Sequence, residues 1–255
     1  MNEVKAKKFL GQHFLTDETI AKRIVDSLTG STPNVMEIGP GMGVLTKYLI
    51  NNPGLNFHVV ELDRESVVWL RDHYPTLSVI EGDFLRLDLD ELFPEMFAII
   101  GNFPYNISSQ ILFRVFDYRN QAVEVVGMFQ KEVAERVAAG PGSKTYGILS
   151  VLLSAFYNIE YLFTVNESVF NPPPKVKSAV IRLVRNDVER LECDEQLFVK
   201  VVKAGFNQRR KTLRNALRSA GLVIDGVDDV FLAKRAEQLS VDEFVNLTKS
   251  IQSCM

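Results

Sequence analysis

The chain is poor in the residues from which metal sites and covalent cross-links are built, with 2 cysteines and 3 histidines among 255 residues. Cys193 and Cys254 lie far apart and near no histidine cluster, so they offer neither a disulfide framework nor zinc-ligand spacing. His13, His58 and His73 are scattered, which excludes a histidine-based metal site. No uninterrupted apolar run approaches the ~20 residues that cross a bilayer. Lys5, Lys7 and Lys8 are followed by Phe9-Leu10-Gly11-Gln12-His13 instead of the apolar core of a secretion signal. A cytoplasmic protein that needs no metal and no membrane is therefore expected.

What remains is an ordinary globular composition, 46% hydrophobic and 24% charged, long enough for one large domain and a small appendage. The formal net charge of −3 argues against a nucleic-acid partner until its distribution is considered. Between residues 200 and 218 stand Lys200, Lys203, Arg209, Arg210, Lys211, Arg214 and Arg218 with no acidic residue among them. Acidic residues gather instead in Glu81 to Glu95 and Asp225 to Asp229. A surface polarised in this way can hold a phosphate backbone; the alternative is a solvated helix face.

Hydrophobic periodicity alternates between the two regular structures. A helix is expected to start at Thr16-Asp17-Glu18, with Ile20, Ile24, Val25 and Leu28 as its apolar stripe. Strands are expected over 35–38, 57–61, 77–80, 97–102 and 123–129, with helices through Leu45 and Leu49, over 64–73 and over 108–116. That order implies a parallel, doubly wound α/β sheet. Two later strands, 157–165 and 178–184, flank Pro172-Pro173-Pro174 and would close the sheet as an antiparallel edge pair. Beyond about residue 186 only helices are expected, over 194–206, 212–219, 228–239 and 241–251. The boundary falls near 186–192, dividing an α/β domain of residues 1–188 from an all-helical domain of residues 189–255.

Three motifs share one edge of this sheet, the carboxyl edge where ligands bind in open α/β folds. The loop Gly39-Pro40-Gly41-Met42-Gly43 follows the first sheet strand, and its glycines admit a ligand where a side chain would clash. Glu61 ends the next strand, ~20 residues on, the distance of a carboxylate that accepts hydrogen bonds from ribose hydroxyls. Asp83, with Phe84 beside it, ends the third and can accept from an adenine amine. Val44 stands where a dinucleotide site needs its third glycine, and no Gly-Lys-Ser/Thr cradle for phosphate is present. A ligand with adenosine and no phosphate fits, and S-adenosylmethionine is such a ligand.

Asn102-Phe103-Pro104-Tyr105 follows the fourth strand at the same edge. Adenine N6 is a poor nucleophile because its lone pair is delocalised into the ring. An acceptor such as the Asn102 oxygen favours the pyramidal amine of the transition state. Pro104 stiffens the turn, and Tyr105 can stack on a base drawn out of its helix. Methyl transfer from a sulfonium is a direct displacement, so neither a nucleophilic side chain nor a strong base is required, only positioning. Similar tetrapeptides serve glutamine and cytosine-amine methyltransferases, and it is the register with the glycine loop that favours a catalytic reading.

Several blocks together resemble one family: residues 8–15, 37–43 and 102–108, Phe170-Asn171-Pro172-Pro173-Pro174-Lys175-Val176-Lys177-Ser178-Ala179-Val180, and Phe206-Asn207-Gln208-Arg209-Arg210-Lys211-Thr212-Leu213. They are similar to the signature blocks of the KsgA/RsmA family of small-subunit rRNA adenine dimethyltransferases and extend over nearly the whole chain. The resemblance implies a Rossmann-like methyltransferase domain with a small helical domain. It also implies dimethylation of two adjacent adenosines in the 3′-terminal hairpin of 16S rRNA, within the immature 30S subunit, by an enzyme expected to be a monomer. By position it implies cofactor contacts at His13, Leu15, Gly39, Glu61, Asp83 and Asn102, to which the glycine loop adds Gly41, and a second aromatic beside the base at Phe170. It favours RNA-phosphate contact by Lys200, Lys203, Arg209, Arg210, Lys211 and Arg214. His13 stands where the family usually has Asn, and Phe103 where it more often has Leu. The rival expectations are an Erm-type 23S rRNA methyltransferase and a non-catalytic assembly or transcription factor on the same fold.

Overall fold

A computed structural model describes residues 4–254. Among the described residues nine strands are formed: β1 (Phe14–Leu15), β2 (Asn34–Ile38), β3 (Asn56–Glu61), β4 (Ser78–Glu81), β5 (Phe97–Asn102), β6 (Ala122–Gln130), β7 (Tyr157–Val165), β8 (Phe170–Asn171) and β9 (Ser178–Arg185). Seven of them make one sheet in the order β4-β3-β2-β5-β6-β9-β7. The pairs β3–β4, β2–β3, β2–β5 and β5–β6 are parallel, and β6–β9 is antiparallel. The order reverses between β2 and β5, the switch point where the carboxyl ends of an open sheet leave a crevice. The doubly wound α/β expectation holds.

Burial explains the central strands. All five residues of β2 and the first five of β5 are buried, as in strands covered on both faces. Ile100, Val126, Met128 and Val180 join Leu15, Ile24, Leu45 and Leu49 in one apolar core. The helix Glu18–Val25 begins where Asp17 accepts from the Ile20 N–H at 3.0 Å. Asp63 caps the helix Arg64–His73 in the same way.

Sequence periodicity did not separate every element. Leu15 and Phe170 pair across a two-strand antiparallel ribbon, β1–β8, too short to leave an alternating pattern. The helices Lys131–Val137 and Ile148–Ser154 were also not anticipated. Residues 228–239 do not form one helix. A single turn, Asp229–Leu232, ends at Ala233, and a 3-10 turn follows at Ala236–Gln238. Between them the Lys234 carbonyl accepts from the Leu213 N–H at 2.8 Å, a tertiary bond that takes the acceptor a continuing helix would need.

Cα packing separates two compact units, residues 1–134 with 159–185 and residues 135–158 with 186–255. Segment 135–158, which sequence pattern places with the sheet, thus groups with the C-terminal helices. Among the described residues no helix is long and apolar enough to cross a membrane.

Candidate active site

An open cleft of about 880 Å³, mouth included, lies at the carboxyl ends of β2, β3, β4 and β5. Its lining brings together His13, Gly39, Gly41, Glu61, Asp83, Phe84, Asn102, Pro104 and Tyr105. The glycine loop can take this path because Gly39 and Gly41 have φ of 67° and 58°, the left-handed region that a Cβ disfavours. A Cβ on Gly41 would also stand 2.8 Å from the Phe14 ring.

Glu61 ties the loop to the neighbouring strand. Its Oε2 accepts from the Gly41 N–H at 3.0 Å and its Oε1 from the Asp63 N–H at 2.8 Å. The residue is 4% exposed, and burial raises its carboxyl above the usual range. Asp83 accepts from the Leu85 N–H at 3.0 Å, which starts the turn carrying the buried Phe84. Glu37, on the strand before the loop, lines a smaller neighbouring cavity with Leu15 and Asn102. Burial pushes its carboxyl up to about 8, so it is mostly protonated at neutral pH, and it accepts from the Thr46 hydroxyl at 2.6 Å.

The tetrapeptide is locked from several sides. Asn102 Nδ2 donates to the His13 carbonyl at 2.9 Å, leaving the side-chain oxygen as the end that can accept from a ligand. Phe103 is buried, its ring edge-on to Phe129 with centroids 4.9 Å apart. Glycine at 101 and 127 is what admits it, since a Cβ on Gly127 would lie 2.1 Å from that ring. Tyr105 lines the cleft while its hydroxyl is hydrogen-bonded to the buried Ser178. The His13 ring sits 5.2 Å from the Tyr105 ring, and His13 Nδ1 is 2.8 Å from the Pro172 carbonyl.

Two expected members lie elsewhere. Leu15 lines the smaller cavity and not the cleft. Phe170, expected beside a target base, is 4% exposed in the apolar core. Ribbon pairing explains this placement: alternation along β8 sends Asn171 outward and Phe170 inward. Conversely, sequence reasoning missed Gln12, Leu62 and Asn106 as cleft residues. The blocks 8–15 and 102–108 were the available signals for Gln12 and Asn106, while Leu62 carried none beyond adjacency to Glu61.

The lining has a distinct charge character. Among the described residues it contains two carboxylates, Glu61 and Asp83, and no lysine or arginine. Such walls repel phosphate and suit a ligand that combines an adenosine with positive charge. S-adenosylmethionine fits that donor set: a carboxylate at one strand tip for its ribose, a second for its adenine amine, and glycine backbone beside its chain.

The C-terminal cations are more unequal than the sequence suggests. Lys200, Lys203, Arg210 and Lys211 are exposed. Arg209 is part-buried, donating to the Ser143 carbonyl at 3.2 Å and facing Glu237 at 3.7 Å. Arg214 pairs with Asp229, and Arg218 with Asp225 at 3.9 Å. The expected separation of these cations from Asp225 to Asp229 is therefore corrected, because the turn after Leu222 folds the acidic stretch back onto them.

Similarity to characterised proteins points the same way. A crystal structure of a dimethyladenosine transferase from Plasmodium falciparum superposes with a TM-score of 0.79 at 25% identity, covering 94% of this chain and 98% of that one. The 23S rRNA methyltransferase ErmE gives 0.68 at 25% identity, covering 92% and 99%. The ribosomal RNA small subunit methyltransferase A of Cytophaga hutchinsonii is 63% identical, with 98% of this chain and 99% of that protein aligned. Its counterpart from Parabacteroides distasonis is 59% identical over 97% and 94%. The family described as ribosomal RNA adenine dimethylase matches residues 3–253, and this chain belongs to that family of S-adenosylmethionine-dependent methyltransferases.

Proposed function

We propose that this protein dimethylates adenine N6 in 16S rRNA, acting on two adjacent adenosines of the 3′-terminal hairpin within the immature small subunit. The observation that carries the reading is one cleft holding both Glu61 and the Asn102–Tyr105 corner, with no cationic side chain among its described lining residues. The activated methyl comes from S-adenosylmethionine, whose sulfonium makes it susceptible to direct displacement.

The chain's residues orient and do not react. Glu61 holds ribose hydroxyls, Asp83 takes the donor's adenine amine, and Gly39 and Gly41 let the backbone approach. The Asn102 oxygen accepts a hydrogen bond from the target amine, which aligns its lone pair and stabilises the charge that develops on nitrogen. Its amide is pre-set for this by the bond to the His13 carbonyl, so no reorientation is needed during the reaction. Tyr105 presents a ring face for the extruded base, its hydroxyl held by Ser178. His13 fixes that ring from the other side, and Phe170 supports the Pro172 loop from within the core. Exposed Lys200, Lys203, Arg210 and Lys211 contact RNA phosphates.

Methylation of immature 30S particles and of naked 23S rRNA, with a labelled methyl donor and product mapping by mass spectrometry, tests the assignment. Dimethyladenosine at neighbouring 16S positions is expected. Label on 23S rRNA alone would overturn it in favour of the Erm-type reaction, and label on neither would leave the non-catalytic reading.

A further inference from the structure

Residues 8–13 run along the rim of the cleft, and from Leu10 onward they line it. None of their side chains is buried, and Phe9 is 78% exposed. A segment with so little apolar burial opens at low cost unless polar ties hold it. Apart from a long bond from Asn106 Nδ2 to the Phe9 carbonyl at 3.5 Å, the side-chain ties are concentrated at its two ends. At the far end the His13 carbonyl accepts from Asn102, as described above. At the near end stands Asp63, 3% exposed and only two residues beyond Glu61.

The Asp63 carboxylate is shared between two duties. It caps the helix Arg64–His73, accepting from the Glu65 N–H at 3.2 Å and the Ser66 hydroxyl at 3.3 Å. It also receives the Lys7 ammonium in an ion pair and the Gln12 amide at 3.4 Å. Lys7 and Gln12 are tied to each other, the Lys7 N–H donating to Gln12 Oε1 at 2.8 Å. The loop from Lys7 to Gln12 is therefore closed on itself and pinned at one buried anion, with the exposed Glu65 carboxylate, 3.1 Å from the Lys7 ammonium, as a second and solvent-screened partner. That anion's own N–H donates to Glu61 Oε1, so the pin and the cleft carboxylate are mechanically one piece.

We propose that Asp63 is a positioning residue for the methyl donor: by clamping Lys7 and Gln12 it closes residues 8–13 over the bound donor and slows its escape. This rests on the reading of the cleft given above. The donor does not touch Asp63; its affinity depends on Asp63 because the closed segment is the binding-competent one, and each loss of closed population weakens apparent affinity in proportion. Burial works against ionisation of Asp63, but the bonds from Lys7, Gln12 and the Glu65 N–H outweigh it and hold the carboxyl below its ordinary range. The clamp is thus charged at neutral pH.

The test is a double-mutant cycle read in ligand binding to the full-length protein. Lys7→Met, Asp63→Asn, the double variant and Glu61→Gln are titrated with S-adenosylhomocysteine by calorimetry, and dissociation rates are measured by stopped flow. Asn caps helices about as well as Asp, so Asp63→Asn retains that duty. Each single clamp variant is expected to weaken binding about 10-fold, as for loss of one charge-assisted hydrogen bond, chiefly through faster dissociation. The double variant should be no weaker than the weaker single, and RNA affinity should stay within two-fold. Additive effects, or unchanged dissociation, alongside weakened binding by Glu61→Gln would overturn the clamp and leave the cleft assignment standing. Unchanged binding in Glu61→Gln as well would overturn both. If Asp63→Asn does not fold, Lys7→Met, which leaves the helix cap intact, decides alone through its dissociation rate.

Discussion

Replacing Glu61 by Gln isolates what the cleft carboxylate does. The two side chains have nearly the same shape, so the change removes a charge and one acceptor oxygen and leaves the packing intact. In the free protein two effects oppose each other. One backbone donor, at Gly41 or Asp63, loses its acceptor, a cost of about 1–3 kcal/mol for a buried group. Against this, a buried carboxylate whose ionisation is disfavoured by desolvation disappears, and the neutral amide is cheaper to bury. Folding stability should therefore change by only about 1 kcal/mol. Binding has no such compensation. A ribose hydroxyl donating to a buried carboxylate is worth about 1.5–3 kcal/mol, so affinity for S-adenosylhomocysteine should fall roughly 10- to 150-fold. Calorimetric titration gives the affinity, and urea melts of the same preparations give the stability. A dissociation constant within two-fold of wild type, with an unchanged urea midpoint, would refute a ribose-holding role for Glu61.

Other perturbations read other parts of the site. Asn102→Ala should lower kcat for methylation of 30S particles by about 10²-fold or more, as for loss of one preorganised transition-state partner, while RNA binding persists; undiminished turnover would remove Asn102 from the mechanism. Reversing Arg210 and Lys211 to Glu should weaken binding to immature 30S particles and reduce the slope of log affinity against log salt by about 1–2. Reversal of Arg209 should instead lower thermal stability, because its guanidinium bonds the Ser143 carbonyl and faces Glu237; the opposite pattern would exchange their roles. Glu37 should link stability to pH. Its folded carboxyl titrates near 8 and its unfolded one near 4.5, so the native state holds the extra proton between them. Stability should then fall by about 1.4 kcal/mol per pH unit as pH rises through that window, and Glu37→Gln should remove this slope in urea melts from pH 5 to 8. An unaltered slope would show that Glu37 ionises freely in the folded protein.

Most of the sheet was legible because β2, β5 and β6 are predominantly apolar, with Glu37 and Glu124 their interior charges, and their order follows from alternation with helices. The glycine loop and both acidic strand tips were legible for the same reason: position at a strand end puts them on one edge. Legibility failed where structure depends on distant partners. Two-residue strands such as β1 and β8 have no periodicity to read, and their pairing decides that Phe170 faces the core. The break within residues 228–239 is set by a carbonyl that answers Leu213, some twenty residues earlier. The charge of the C-terminal helices was misjudged because Asp225 and Asp229 return to Arg218 and Arg214 only in three dimensions. Nothing in the sequence singles out Asp63, and only the fold reveals Lys7 and Gln12 converging on it.

The central claim is that one cleft holds the methyl donor at three strand tips with the Asn102 corner facing its reactive end. A crystal structure with S-adenosylhomocysteine bound tests it most directly. Ribose hydroxyls are expected on Glu61, the adenine amine at Asp83, and the sulfur pointing toward Asn102 and Tyr105. Density for the ligand outside this cleft, or with its sulfur turned away from Asn102, would contradict it.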